Sequence, residues 1–543
     1  MQSPVRRAVL LMLFFATLAA CPFHGQAQDL DKLLESARAA QSTGNYAGAA
    51  KFYSRATTLA PASPELWANR GIVEYLADQF DASAASLKHA LQLNPGLFAF
   101  LLFLGKTYIQ TGKPAQALPY LDHAHVLRPN DPEVLLALGK ANADLNRQRK
   151  AASFYADAAR IAPENTGAWL GLDAASLEVI TIDGRELAAT QAQSIWARSL
   201  YADELFVQGR PFEAADTYKA FLAAASPAQK ATLARTLEWM QSHPDLFPLP
   251  PNSQEALQRL SAQFKSEQGK AALPPCAPAD RQRQRQPHPE SASGAAGLLH
   301  GAACAYWEGN YEQSVAQAGQ ALRQSPQSAE ALYWSVKANE RMAVAALSRF
   351  EDLAPQSATN YVMVGDLYRY QRQMDSALSE YKKALAIDAH DPAALMGAAV
   401  ADLSGGRLDE AASMDQIALA DRPLDPQLNL LMAEILAARN QYDQAKAYLA
   451  KCLDAPPELQ PRVHLLLGRA DSEEGKTEEA IRQFELALPG DEDGSIHYQL
   501  SRLYRKTGNL AQAQKAEAGA KALIKKRDAN AAIAVREASG ANP

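Results

Sequence analysis

Small and apolar residues recur along this chain with the spacing of paired amphipathic helices. Ala37, Gly71, Gly105 and Gly139 follow one another at a constant step of 34 residues. We call each of these small residues the anchor of its unit. A proline closes every unit, and because proline cannot continue a helix it predicts a turn into the next unit. The pattern predicts four successive helix pairs over residues 29–165.

Each unit repeats the same internal positions. The position sixteen residues after the anchor is a large apolar residue, as at Tyr53 and Leu87. Small anchors let two helix backbones approach closely, and the large residue fills the space beside the crossing. The phrase Gly-Asn-Tyr, at Gly44–Tyr46 and again at Gly309–Tyr311, predicts the turn between the two helices of a unit.

This pattern, with Trp67 near the start of its unit and Gly-x-x-Tyr at Gly105–Tyr108, resembles the tetratricopeptide repeat family. The resemblance implies an all-α fold, an α-solenoid of antiparallel helix pairs with a concave inner groove, in which each unit contacts its neighbours. A second array begins near Ala295. Its anchors keep a spacing of 33 to 35 residues except between Val336 and Gly365, where the unit is shortened and we expect a tight helix hairpin.

The repeat is lost between the arrays. Val179–Leu187 interrupts it with β-branched residues and an Asp-Gly turn signal. The predicted organisation is a signal peptide or tether (1–28), a regular array (29–165), an irregular helical segment with one degenerate unit (166–269), a disordered linker (270–293), a second array (294–526) and a flexible tail (527–543).

Composition narrows the function classes. Hydrophobic residues make up 48% of the 543 residues and charged residues 21%, which is typical of a globular protein. The formal net charge of −6 argues against nucleic acid as the main partner, because phosphate binding needs a basic surface. No zinc-protease or serine-hydrolase motif is present, so we expect no catalytic residues, no metal and no cofactor.

The N-terminus predicts export from the cytoplasm. Arg6 and Arg7 precede the apolar run Ala8–Ala20, which is typical of a signal peptide and short for a membrane span. Two alternatives remain open for the mature protein. Cleavage before Cys21 would give a lipidated, membrane-anchored lipoprotein, and cleavage before Gln28 would give a soluble periplasmic or secreted protein. The remaining cysteines give no disulfide framework.

Family resemblance places the inward-facing slots of each first helix three and two residues before the anchor, and one and four residues after it. In the first array, residues at these positions form a predicted partner groove of Asn69, Ile72, Tyr75, Leu102, Phe103 and Ile109. In the second array the predicted groove contains Tyr333, Trp334, Val362, Met363, Met396, Arg462, Arg469, Arg502 and Arg505.

These residues predict an exported scaffold that binds other proteins or peptides. Leu102 and Phe103 are large apolar residues in excess of what one buried face needs, which indicates a partner site. Glu434, Glu473 and Glu474 are the acids expected to neutralise the arginines of the second groove. The alternative function is a carrier or assembly factor for an apolar cell-envelope cargo, held by the Phe103 and Trp334 patches.

Overall fold

The computed structural model describes residues 24–207, 210–223, 225–242, 294–370, 373–491 and 493–538. Residues 1–23 of the proposed signal segment, which include Cys21, and the proposed linker lie outside the described residues. Described residues up to Ser242, together with 294–353, form one compact unit, and residues from Ala354 onward form another. We call these unit 1 and unit 2.

Regular structure in the described residues is helical throughout. Unit 1 contains α1 (His24–Ser42), α2 (Tyr46–Leu59), α3 (Pro64–Leu76), α4 (Phe80–Leu93), α5 (Phe98–Gln110), α6 (Pro114–Leu127), α7 (Pro132–Asp144), α8 (Gln148–Ile161), α9 (Thr166–Thr190), α10 (Ile195–Val207), α11 (Pro211–Leu222), α12 (Pro227–Ser242), α13 (Ala295–Trp307), α14 (Tyr311–Gln324) and α15 (Ala329–Leu353).

Unit 2 continues with helix pairs of the same kind. They are α16 (Ala358–Tyr370), α17 (Met374–Ile387), α18 (Pro392–Ser404), α19 (Leu408–Asp421), α20 (Pro426–Ala438), α21 (Tyr442–Leu449), α22 (Gln460–Glu473), α23 (Thr477–Ala487), α24 (Ser495–Lys506) and α25 (Leu510–Ala538). The proposed flexible tail overlaps the end of α25, and its side chains lie outside the described part of the chain.

The predicted turns at Gly44 and Gly309 are confirmed. Gly44 and Gly309 have φ values of 76° and 77°, a conformation that glycine adopts without strain. The Asn45 side chain then accepts a hydrogen bond from the backbone N–H of Gly48 and caps α2. Asp131 caps α7 in the same way, ahead of a proline at the first helical position.

The anchors mark close helix crossings, as predicted. A Cβ added at Gly105 would lie 2.4 Å from Cδ2 of Leu121, so a larger anchor would force the two helices apart. Leu121 itself is fully buried. The Ser83 hydroxyl donates a 2.8 Å hydrogen bond to the Gly71 carbonyl across the equivalent crossing. The anchor and the large residue sixteen positions later therefore form the core of each unit.

Two predictions about irregular segments are wrong. α9 runs without a break through Val179–Leu187, where the sequence indicated an interruption. α15 is one helix of 25 residues, where a tight hairpin was expected. These two long helices make the most extensive helix–helix contact in the described structure. Mutual packing along their length outweighs the weak local preferences for a turn.

The contact between α9 and α15 also changes the domain organisation. Residues 295–353 were predicted to open the second array, but α13, α14 and α15 share one apolar core with α10, α11 and α12 in unit 1. Among the described residues, no helix combines the length and the apolar content needed to cross a membrane.

Candidate partner-binding grooves

The first helices of successive helix pairs form a continuous layer. α3 contacts α5, α5 contacts α7 and α7 contacts α9, whereas successive second helices make far fewer direct contacts with one another. In unit 2, α16, α18, α20 and α22 are related in the same way. Closer spacing on one side makes that side the concave one, so the inner face of each unit is built from first helices.

In unit 1 the inner face joins three consecutive first helices through one aromatic contact and one ion pair. The rings of Tyr75 on α3 and Phe103 on α5 meet edge to face, with their centroids 5.5 Å apart. The Lys106 ammonium lies 5.8 Å from the Phe103 ring centroid and pairs with Glu133 on α7. Burial raises the pKa of Tyr75, whose hydroxyl also interacts with Gln110.

The residues predicted for this groove fall into two groups in the structure, accessible residues and one buried residue. Tyr75, Phe103, Ile72, Ile109 and Asn69 are all half-buried, so part of each side chain is accessible. Leu102 is 6% exposed and belongs to the apolar core around α5 and α6. Its placement in the groove was wrong, because it packs into the core. Phe103, on the next position of the helix, keeps accessible ring surface.

In unit 2 the inner face contains a cleft of about 260 Å³. It is lined by Asp366, Arg369, Ala393, Met396, Gly397, Val400, Gln427, Leu430, Leu431, Leu459 and Arg462. These residues come from α16, α18, α20 and α22 or its preceding turn, so the cleft runs across consecutive first helices. Its floor is aliphatic, from Met396 and Val400 to Leu430 and Leu431.

Charged groups mark both ends of this cleft. At one end, Asp366 pairs with Arg369 at 3.0 Å and accepts a 2.7 Å hydrogen bond from the Tyr381 hydroxyl. Burial raises the pKa of Tyr381, so this phenol remains a donor. At the other end, Nε of Arg462 donates a 2.9 Å hydrogen bond to Glu434. An ion pair therefore stands at each end of an apolar floor.

Tyr333 and Trp334 are not groove residues. Both side chains are 0% exposed. The Trp196 ring of α10 lies 5.1 Å from that of Tyr333 and 6.1 Å from that of Trp334, centroid to centroid. Both aromatic residues hold inward slots of α15, but α10 packs onto that helix and covers them. Their placement in a partner groove was wrong for this reason.

The other predicted residues of the second groove have different surroundings. Val362 is 7% exposed and packs into the apolar core formed with α17 and α18, so its placement in the groove was wrong. Met363 and Met396 are half-buried. Arg462, Arg469, Arg502 and Arg505 are exposed. Glu434 neutralises Arg462 as expected, but Arg505 pairs with Glu517, and Glu474 pairs with Lys446 and Lys476. Neither Arg469 nor Arg502 makes an ion pair with a residue that the structure describes.

Several cleft residues were missed by sequence reasoning although they obey its own rule. Asp366 and Arg369 lie one and four residues after the anchor Gly365, and Leu430 and Leu431 lie three and two before the anchor Ala433. These are the inward slots already defined. The slot rule therefore applies to every residue type, and it identifies the aliphatic and acidic residues of the cleft as well as its arginines.

Among the described residues, no group of three or more His, Cys, Asp or Glu side chains is arranged to hold a metal ion. Cys452 is a free, fully buried thiol, whereas Cys304 is disulfide-bonded. The sequence indicated no disulfide framework, and Cys304 nevertheless takes part in one disulfide. The fold and its inner clefts define the class of the protein: a helical-repeat solenoid whose surfaces suit non-covalent binding.

Comparison with known proteins gives the family. Two family models, both described as tetratricopeptide repeat, match residues 74–141 and 368–435, and residues 34–97 and 430–495. The chain is a tetratricopeptide repeat protein. The comparison with curated proteins gives no match.

Solved structures of tetratricopeptide repeat proteins resemble parts of the chain. MamA from Desulfovibrio magneticus is 21% identical over 32% of this chain and 97% of its own, with a TM-score of 0.28. YrrB, titled a TPR protein with an unusual peptide-binding site, is 21% identical over 33% and 91%, with a TM-score of 0.27. A thermophilic TPR protein of Thermus thermophilus is 23% identical over 34% and 97%, with a TM-score of 0.28.

Proposed function

We propose that this protein is an exported scaffold that binds other proteins or peptides in the inner grooves of its two units. The observation that carries the proposal is the cleft of about 260 Å³ in unit 2, with its aliphatic floor and arginine-bearing ends. A cleft of this size accepts one large apolar side chain of a ligand. The arginines at its ends are suited to carboxylates on either side of that residue.

The half-buried patch of Tyr75 and Phe103 in unit 1 supports a separate second surface. It differs from the unit 2 cleft in being aromatic, with Lys106 as its nearby cation. The alternative, carriage of an apolar cargo, depended on Trp334 as well as Phe103. Since Trp334 is fully buried, peptide binding accounts better for the accessible residues.

A peptide-display selection tests the binding proposal. Random peptides are selected on the full-length protein, and the affinity of the enriched peptides is measured by fluorescence anisotropy. Met396→Asp places a charge on the cleft floor and should weaken ligands of unit 2 at least about tenfold, since burying an unpaired carboxylate is costly. Met414→Asp is the matched control, because Met414 is also half-buried in unit 2 but lies on the second helix α19.

Phe103→Asp tests the unit 1 surface against the same peptide pool. Enriched peptides whose binding survives both Met396→Asp and Phe103→Asp would contradict the groove proposal. So would loss of binding in Met414→Asp to the same extent. Lipid extraction of the purified protein, followed by mass spectrometry, tests the cargo alternative directly.

Export is part of the proposal. It is supported by the apolar run Ala8–Ala20 after two arginines, which is typical of a signal peptide. Mass spectrometry of the mature N-terminus distinguishes a lipidated Cys21 from a free Gln28. An intact Met1 on protein isolated from its native host would contradict export by this route.

A further inference from the structure

One unit of the repeat buries a carboxyl at the position where most units bury a large apolar side chain. Sixteen residues after the anchor, eight units carry a large side chain that is at most 7% exposed: Tyr53, Leu87, Leu121, Tyr155, Tyr218, Tyr381, Leu449 and Phe484. In the unit whose anchor is Ala399, the same position is Asp415. Asp415 is 0% exposed, and neither of its carboxylate oxygens has a hydrogen-bond partner among the described residues. A buried carboxyl without a partner is unusual and costly.

The repeat register shows what surrounds this carboxyl. The Tyr381 ring packs against the backbones of Gly365 and Gly397, where added Cβ atoms would lie 2.7 Å and 2.4 Å from it. Adding one repeat of 34 residues to these three positions gives Asp415, Ala399 and Leu431. Ala399 and Leu431 belong to one buried apolar cluster with Ala411 and Ile435. Asp415 thus replaces an aromatic ring where α18, α19 and α20 meet.

Few charges act on Asp415 from the helices that pack against α19. α18 carries Asp402, held by Arg407 at 2.6 Å, and α20 carries Glu434, held by Arg462. Asp425, which caps α20, is the acid whose charge acts on Asp415. Burial, and then this nearby carboxylate, raise the pKa of Asp415 to about 7.

The position of Asp415 connects it to the groove. Leu431, its neighbour by register, lines the unit 2 cleft together with Leu430 of the same helix. We propose that Asp415 is a pH-sensitive element of unit 2: its neutral carboxyl lets α20 pack firmly on α18 and α19, and its ionisation loosens α20 and the cleft floor. The consequence for ligands rests on the proposed function, whereas the loosening of α20 does not.

The direction with pH follows from proton linkage. The folded state holds the Asp415 proton to a higher pH than the opened state does, so opening becomes easier as pH rises toward about 7 and then levels off. Where opening exposes the Asp415 carboxyl to solvent, the equilibrium constant for opening increases about tenfold per pH unit over that range. Leucine fills the equivalent position in the next unit, at Leu449, so Asp415→Leu should remove the effect.

Hydrogen exchange of the full-length protein, without any ligand, tests this directly. Peptides covering α19 and α20 are followed by mass spectrometry from pH 5.5 to 8.5 and corrected for the intrinsic pH dependence of exchange. In the wild type, protection should fall about tenfold per pH unit up to about pH 7 and then become constant. In Asp415→Leu the corrected protection should not depend on pH. Peptides from α21 and its Leu449 position serve as the internal control.

Asp415→Asn is a second variant without a titratable group, and it keeps nearly the same side-chain shape. It provides the test if Asp415→Leu fails to fold. The proposal is overturned by a wild-type protection that is flat below pH 7, or by a slope in Asp415→Leu and Asp415→Asn that equals the slope of the wild type. Because the measurement needs no ligand, its failure is distinct from failure of the peptide-binding proposal. If ligand peptides bind the cleft but the exchange of α19 and α20 does not change with pH, the groove proposal is retained and the pH-sensitive role of Asp415 is rejected.

Discussion

Replacement of Lys337 by methionine should destabilise the packing of α15 on α10 within unit 1. Lys337 on α15 lies 3.1 Å from Asp203 on α10, and the two side chains are only 14% and 7% exposed. Burial raises the pKa of Asp203, and the charge of Lys337 opposes that rise. The methionine side chain keeps most of the packing of lysine but leaves the Asp203 carboxylate buried without a cation.

The expected magnitude follows from the contacts that remain. Removing one partner of a buried ion pair costs about 3–5 kcal/mol. Asp203 would still accept a 2.7 Å hydrogen bond from the Tyr218 hydroxyl, so we expect the lower end, about 3 kcal/mol. Asp203→Asn should cost less, about 1–2 kcal/mol, because Lys337 keeps Glu340 as a partner at 2.8 Å.

Hydrogen exchange localised to α10 and α15 is the appropriate assay, because a chain with two compact units need not unfold in one step. A loss of about 3 kcal/mol corresponds to an increase of about 150-fold in the opening equilibrium. The double variant Asp203→Asn with Lys337→Met leaves no buried charge and should approach wild-type protection. If Lys337→Met exchanges within about threefold of wild type, or if Asp203→Asn is the more severe change, the burial argument is wrong.

Three further predictions use the same kind of reasoning. Trp334→Ala should cost about 3–5 kcal/mol in the stability of unit 1, measured by exchange, because the ring is fully buried; a cost below about 1 kcal/mol would contradict its core role. Gly397→Ala should lower the melting temperature of unit 2, because the new methyl would lie 2.4 Å from the Tyr381 ring, and Tyr381→Leu should rescue it. Burial raises the pKa of Asp173 from 3.8 to about 7, so the contribution of Asp173 to the stability of unit 1 should fall by up to about 4 kcal/mol between about pH 4 and pH 7 and then level off. In urea unfolding, the difference in stability between Asp173→Asn and the wild type should change with pH by this amount.

Much of the fold was predictable because the repeat is local. The anchor and the residue sixteen positions later lie on adjacent helices of one unit, so a single 34-residue window contains both sides of the contact. Gly105 and Leu121 illustrate this, as do the turns at Gly44 and Gly309. Family models independently match windows of this repeat in both units.

The two long helices were not predictable in this way. The Asp-Gly at Asp183 and Gly184 indicates a turn, yet in α9 the Asp183 carboxylate is fully buried and pairs with Arg149. The Thr181 hydroxyl bonds back to the Leu177 carbonyl at 3.0 Å within the helix. What stabilises α9 is chiefly its packing on α15, which begins more than a hundred residues later. Local propensity carries no information about such a partner.

The grooves were predictable by position and not by exposure. Met396 and Leu430 occupy inward slots in unit 2 and line an open cleft. Tyr333 and Trp334 occupy equivalent slots in unit 1 but are buried in a core. The difference is made by α10, whose Trp196 covers α15. A residue at an inward slot is therefore accessible to a partner only where no other part of the chain packs on it.

This distinction bears on how binding variants should be chosen. A charge at Trp334 would abolish binding simply by disrupting the shared core of α10 to α15, and the loss would say nothing about a partner. A charge at Phe103 or Met396 alters side chains that are already half-exposed, so folding and binding can be separated. Because Phe103 belongs to unit 1 and Met396 to unit 2, a peptide lost in only one variant identifies the surface that binds it. Two peptide classes, each lost in a different variant, would show that the grooves act independently.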